Sequence, residues 1–206
     1  MQRILTIAAA AALTLATAAG CQRDAAPADT AIDSASSARR GATDCGVLPG
    51  DVQVEEGVGV LRIGTSVEEV RQRCRVVRDT TVLDNEGMPA RRLVVSIGDD
   101  TAVAEIVEDS VWRVRLTSSR FRAGGGLGIG TSGSALAAIP GARALVGEGE
   151  VYVTIPGTCG VSYRVAGADF ARVSSARSPE EAMSLLPGTA QVDLLLVYAC
   201  ANEPTA

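Results

Sequence analysis

Apolar positions between residues 52 and 198 change period repeatedly, and the changes mark out the elements. Over 91–97 every second residue is aliphatic, which puts Leu93, Val95 and Ile97 on one face of a strand. Gly98-Asp99-Asp100 then reads as a turn, and 101–107 returns as the second strand of a hairpin. After Glu108-Asp109-Ser110, the segment 111–117 alternates again. Trp112, Val114 and Leu116 are expected in the core, with Arg113 and Arg115 facing water, as in a half-buried antiparallel strand. Further strands are expected at 151–155, 160–165 and 191–198, and 52–63 reads as a short strand. A 3.6-residue period appears only briefly: Val67, Val70 and Cys74 share one helical face, and Glu69 and Arg73 form an i,i+4 pair on the other.

The helix starts are written into a repeat. Leu61-Arg62-Ile63-Gly64-Thr65-Ser66 returns as Leu127-Gly128-Ile129-Gly130-Thr131-Ser132, 66 residues later and changed at one position. Ser66-Val67-Glu68-Glu69 is a capping box, in which the serine hydroxyl takes up a free amide and the glutamate reaches back. The second copy lacks the glutamate, has Gly133 where the first has Val67, and is stopped by Pro140-Gly141, so a weaker helix is expected. Ser178-Pro179-Glu180-Glu181 is another box, opening a helix that runs to Leu186 before Pro187-Gly188. The pattern predicts an α+β fold of two related modules of short helix plus antiparallel strands, over 44–122 and 123–206, merged into one domain.

The first 43 residues belong to neither module. Residues 1–20 have a basic start, an apolar middle and small residues at the end, the form of an export signal. Ala18-Ala19-Gly20-Cys21 resembles a bacterial lipobox, which implies that Cys21 becomes the acylated first residue; the alternative is an ordinary signal cut nearby that leaves a spare thiol. Gln22 after the cysteine resembles the outer-membrane sorting signal of lipoproteins, which places the protein in the bacterial envelope, on the periplasmic face. The segment 22–43 is polar and small, with Ile32 its one large aliphatic residue, and reads as a flexible tether or a terminus without a role. Removing 1–20 leaves 186 of 206 residues, discards Arg3 and lowers the net charge from −5 to −6. Every basic residue is arginine. An acidic chain is a poor partner for nucleic acid, so membrane attachment would rest on the lipid at Cys21.

Four cysteines remain: Cys45, Cys74, Cys159 and Cys200. In an exported chain an even number reads as two disulfides, for which three pairings exist. Cys45–Cys74 with Cys159–Cys200 keeps each bridge inside one module, and each would contribute about 3–4 kcal/mol. A metal site is the rival, but it calls for histidine or a Cys-x-x-Cys pair, and the chain has neither.

Ile63-Gly64-Thr65-Ser66-Val67-Glu68-Glu69-Val70 resembles the strand-to-helix start of small envelope lipoproteins of the SmpA/OmlA (BamE-like) group and of beta-lactamase-inhibitor-like repeats. The run from Trp112 through Arg120-Phe121-Arg122 to Ser132 resembles a group of uncharacterised secreted bacterial proteins. The chain departs from the BamE-like pattern at Thr65, where methionine is usual, and in having two modules. The resemblance implies fold and compartment. The expected function is a non-catalytic binding or scaffold module for an envelope protein partner, the alternative a secreted inhibitor-like or small-ligand-binding module.

Candidate chemistry is sparse. The glycine-rich run 124–132 has Ile129 where a dinucleotide loop needs glycine and Thr131 where a phosphate loop needs lysine, so it reads as a connector. Arg113 and Arg115, with Arg120 and Arg122 around Phe121, are either an anion- or partner-binding patch or simply a solvated face. The carboxylate pairs Glu55-Glu56, Glu68-Glu69, Asp99-Asp100 and Glu180-Glu181 fall largely on helix starts and turns, not in general acid–base settings. A serine nucleophile lacks both histidine and lysine as a base. The expectation is therefore no catalytic residue, no cofactor and no metal.

Overall fold

The computed structural model describes residues 45–47, 52–54, 56–84 and 86–200. The signal at 1–20, Cys21 and the tether lie outside the described residues. Two short pairs open the chain: β1 (Val52–Gln53) runs parallel to β8 (Phe121–Arg122), and β2 (Gly57–Val58) pairs with β3 (Leu61–Arg62). Helix α1 (Val67–Arg73) follows, then β4 (Val76–Leu83), β5 (Pro89–Ile97), β6 (Asp100–Val107) and β7 (Ser110–Leu116). After β8 come a 3-10 turn at Gly124–Gly126 and helix α2 (Gly133–Ala137). Strands β9 (Arg143–Gly147), β10 (Glu150–Thr154) and β11 (Val161–Ala166), helices α3 (Phe170–Ser174) and α4 (Pro179–Ser184), and β12 (Gln191–Tyr198) complete it.

The mixture of helix and antiparallel sheet expected from the sequence is present, with strands dominant. One sheet carries eight of them in the order β4-β5-β6-β7-β12-β11-β10-β9, antiparallel throughout. Read outward from the β7–β12 seam, the order is the same in both directions. The repeated hexapeptides hold the same place against it. Gly64 N–H donates to Val111 O and Gly130 N–H to Val192 O, both at 2.8 Å. Val111 and Val192 donate back to Thr65 O and Thr131 O at 2.8 and 2.9 Å, and Val67 and Gly133 donate to Asp109 O and Ala190 O at 2.8 and 2.7 Å. Each copy has a glycine at positive φ (Gly64 87°, Gly130 86°) and then a serine whose hydroxyl caps the helix, Ser66 onto Glu69 N–H and Ser132 onto Ala135 N–H.

One sheet face forms the core. Leu93, Val95, Ile97, Val114, Leu195 and Val197 are fully covered on it, together with Val70 of α1 and Leu136 of α2. The disulfides are Cys45–Cys74 and Cys159–Cys200, the pairing that keeps each within one half. The first ties 45–47 to the end of α1; the second ties the end of β12 to the β10–β11 loop.

Several expectations are corrected. Trp112 is 53% exposed rather than core, because β7 carries a bulge: Ile106 pairs with Val111 and Glu105 with Arg113, so Trp112 is the extra residue and Val111 takes the inward place. The first meander has four strands, not three, since β4 is an edge strand too polar to show an alternating signal. Strand β9 and helix α3 are likewise additional. Glu69 does not reach back to its cap; its carboxylate accepts from Arg73 at 2.9 Å. In the box at Ser178, Glu181 does reach back, accepting from Arg177 N–H at 2.7 Å.

Candidate functional site

Two regions concentrate chemistry. The first is the sheet face opposite the core. Glu105 on β6 is 4% exposed, and its carboxylate meets three guanidiniums: Arg92 of β5 at 3.1 Å, Arg113 of β7 in direct contact, and Arg115 of β7 at 3.7 Å. Arg113 also donates to Glu148 at 2.5 Å. Glu148 belongs to the β9–β10 turn, and β10 is three strand spacings from β7, about 14 Å on a flat sheet. The contact therefore requires the sheet to curl, bringing one corner over its polar face. The β4–β5 hairpin arrives from the opposite corner. Glu86 of that hairpin and Glu148, Gly149 and Glu150 line a shared cavity of about 550 Å³.

Next to the arginines lies a small apolar cluster, Tyr152, Leu194 and Leu196, with Tyr198 against it. Tyr198 accepts a hydrogen bond from Ser162 at 3.1 Å, whereas the buried Tyr152 hydroxyl has no hydrogen-bond partner among the described residues. Arg164 is held by both oxygens of Asp193, at 2.8 and 2.6 Å. Burial opposes the charge on Arg113, but its bonds to Glu148 and Glu105 outweigh that and raise its pKa. The bond to Asp193 raises that of Arg164, and burial raises that of Tyr152. Each shift moves the group away from neutral pH, so the guanidiniums stay charged and the phenol stays protonated.

The four arginines singled out from the sequence are not brought into one patch. Arg113 and Arg115 share Glu105. Arg120 lies elsewhere, paired with Asp100 at 3.3 Å and stacked 5.9 Å from the Phe121 ring centre. Arg122 sits on β8, opposite Gly128. Sequence reasoning missed Glu105, although a signal was there: a single acid in the apolar run Thr101-Ala102-Val103-Ala104-Glu105-Ile106-Val107, flanked by arginine-bearing strands.

The second region is a groove where the halves meet. A cavity of about 480 Å³ is lined by Gly124 and Gly125 of the glycine turn, Leu127, Ala135 and Ile139 from the α2 side, and 155–158 of the β10–β11 loop. A further cavity of about 350 Å³ shares Gly124, Gly157 and Thr158 with it. It continues to Val54, Glu56 and Arg62 of the first half and to the Cys159–Cys200 bridge of the second. Arg62 and Glu56 face each other at 3.6 Å on its wall. The glycine-rich run thus forms the floor of an apolar groove with one charged wall. No helix among the described residues is long and apolar enough to cross a membrane.

No family profile matches the chain, and no curated protein matches it. Among solved structures it is similar in fold to the uncharacterized protein yfeY from Escherichia coli, with a TM-score of 0.51 and 22% identity, over 72% of this chain and 99% of that one.

Proposed function

We propose that this chain is a non-catalytic binding module of the bacterial cell envelope, anchored by a lipid on Cys21, which holds a protein partner in the groove between two related halves. The observation that carries this is a pair of adjoining cavities that share Gly124, Gly157 and Thr158: an apolar one lined by the second half, and one of mixed polarity that reaches Val54, Glu56 and Arg62 of the first. The halves are read as tandem modules, 44–122 and 123–206, because the repeated hexapeptides make the same backbone bonds to β7 and to β12. The likeness of 63–70 to the helix start of SmpA/OmlA (BamE-like) lipoproteins supports the compartment, and the lipobox-like residues before Cys21 support the anchor. The resolved pKa shifts on the arginine face run away from neutrality, which fits binding better than acid–base chemistry.

A second reading, a small-ligand or inhibitor-like module, is favoured by one observation: the buried Tyr152 hydroxyl beside Arg115 and Arg164 has no hydrogen-bond partner among the described residues. Cross-linking and pull-down from native membranes distinguishes the readings. One stoichiometric partner, lost or weakened by Cys21→Ser, is the expected result; no protein partner in either form would overturn the first reading in favour of the second.

A further inference from the structure

Strand β4 is one edge of the eight-stranded sheet, and among the described residues no strand pairs with its outer side. It is exposed along most of its length, Val77 at 54% and Leu83 at 72%. Which backbone groups it offers follows from its register on β5. Asp84 N–H donates to Met88 O at 2.8 Å. Bonded and unbonded pairs alternate along an antiparallel ladder, so Val82 opposite Ala90, Thr80 opposite Arg92 and Arg78 opposite Val94 also bond inward to β5. Pro89, which has no N–H to give, falls opposite Leu83 in an unbonded pair, as this alternation requires. The N–H and C=O groups of Asp79, Thr81 and Leu83 therefore point away from the sheet. A bulge between Val76 and Arg78 ends the regular stretch on one side, and the turn after Asp84 ends it on the other. Between them lies Arg78-Asp79-Thr80-Thr81-Val82-Leu83-Asp84, basic at one end, acidic at the other and centred on Thr81.

We infer that the protein pairs with a second copy of itself along β4, antiparallel, with Thr81 opposite the partner's Thr81. This surface is separate from the groove and does not depend on the reading above. In a twofold-symmetric antiparallel ladder one residue must face its own copy at the axis. Thr81 is the position that uses every outward group: it bonds to the partner's Thr81, and Asp79 and Leu83 bond to the partner's Leu83 and Asp79. The same register sets Arg78 directly opposite the partner's Asp84, once on each side of the axis, and Thr80 opposite the partner's Val82. Asp84 is already held by the amides of Glu86 and Met88, at 3.0 and 2.7 Å, and Arg78 has no ion pair among the described residues. An axis at Asp79 would set two carboxylates face to face. One at Thr80 would put them on a diagonal and run Leu83 into the partner's bulged Val77. In the Thr81 register Asp79 does not obstruct pairing, because Arg71 and Arg91 of its own copy neutralise it at 2.6 and 2.9 Å.

The test is sedimentation velocity of the oxidised full chain carrying Cys21→Ser, from about 1 to about 100 µM, where a reversible monomer–dimer equilibrium is expected. Thr81→Pro removes an outward N–H and no bond to β5, so it should weaken the dimer at least tenfold and leave the melting curve of the dilute protein unchanged. Arg78→Glu should weaken it as much by setting like charges opposite each other, and it decides alone if Thr81→Pro melts early. Register is read with Thr80→Cys and Val82→Cys, incubated with oxidised glutathione singly and as an equal mixture. Facing residues of an unbonded pair lie about 4.5 Å apart at Cα, within reach of a disulfide. The mixture should yield at least tenfold more linked dimer than either variant alone, joined at positions 80 and 82 by mass mapping. A chain that stays monomeric to about 100 µM, as it would if one of its own segments covered β4, overturns the inference. So does an unchanged dissociation constant in the deciding variant, or a cysteine variant that links as readily alone as in the mixture.

Discussion

Glu105 is the residue on which the outer sheet face depends. Three guanidiniums converge on its carboxylate, with side-chain exposures of 28% for Arg92, 18% for Arg113 and 19% for Arg115. Glu105→Gln keeps the shape and removes the charge, leaving like charges together in a poorly hydrated place. Breaking a buried pair typically costs about 3–5 kcal/mol, and the partial exposure of the arginines puts the expected loss near the bottom of that range, to be read from urea denaturation. Tyr152→Phe on the same face should behave oppositely. Its hydroxyl is buried without a partner among the described residues, so removing it deletes a desolvation cost and no described bond, and a change between zero and about 1 kcal/mol of stabilisation is expected. Asp79 is one source of acid sensitivity. Its bonds to Arg91 outweigh the opposing effect of desolvation, Arg71 adds to them, and its pKa is held below the ordinary 3.8. A depressed carboxylate contributes stability that is fully present above its unfolded value and is lost as pH falls through the folded one. Denaturation midpoints of the parent should therefore fall as pH drops below the ordinary carboxylate value of 3.8, and Asp79→Asn should flatten that limb.

At the scale of elements, what the sequence revealed and what it hid have separate physical causes. Serine caps and positive-φ glycines are local chemistry, so Ser66, Ser132, Ser178, Gly64 and Gly130 could be placed from residue types alone. Strands with one wet face alternate, so β5, β6, β10, β11 and β12 were expected within a residue or two of where they lie. The hidden elements have no such signature: β4 is exposed along most of its length, β9 is short, and α3 relies on Asp169 as a cap in a run without amphipathic period. The bulge that turns Trp112 outward is a register event, decided across strands. Gly133 was read as a weakness of α2 but is a packing requirement, since a Cβ there would lie 2.4 Å from Pro187 O. Gly133→Ala should therefore destabilise despite the higher helix propensity of alanine, by more than the ~1 kcal/mol expected for Ser132→Ala; thermal melts of the two variants test the order. The groove is half legible: the glycine run reads as a connector, but its openness depends on the β10–β11 loop, which is distant in sequence from the Val54, Glu56 and Arg62 that it faces.

The molecule as a whole is held by its seam. Leu116, Arg115, Val114 and Arg113 of β7 pair with Leu195, Leu196, Val197 and Tyr198 of β12, and Val114 and Val197 oppose each other with no exposure. A single core cluster runs from Val70 on one side to Val153 on the other, so neither half can expose its inner sheet face without uncovering the other's. Two halves of a sheet that share one core cannot unfold independently. The distribution of chromophores makes this testable without labels. Trp112, the one tryptophan, is on β7 in the first half, while Tyr152, Tyr163 and Tyr198 are all in the second. Urea unfolding followed by tryptophan fluorescence and by tyrosine absorbance should give one coincident transition. Val197→Ala, which removes about 2–3 kcal/mol of packing from the second half, should shift the tryptophan signal of the first by the same amount. Separate midpoints, or a tryptophan transition that ignores Val197→Ala, would mean that the seam joins two domains and that the groove between them opens and closes with their motion.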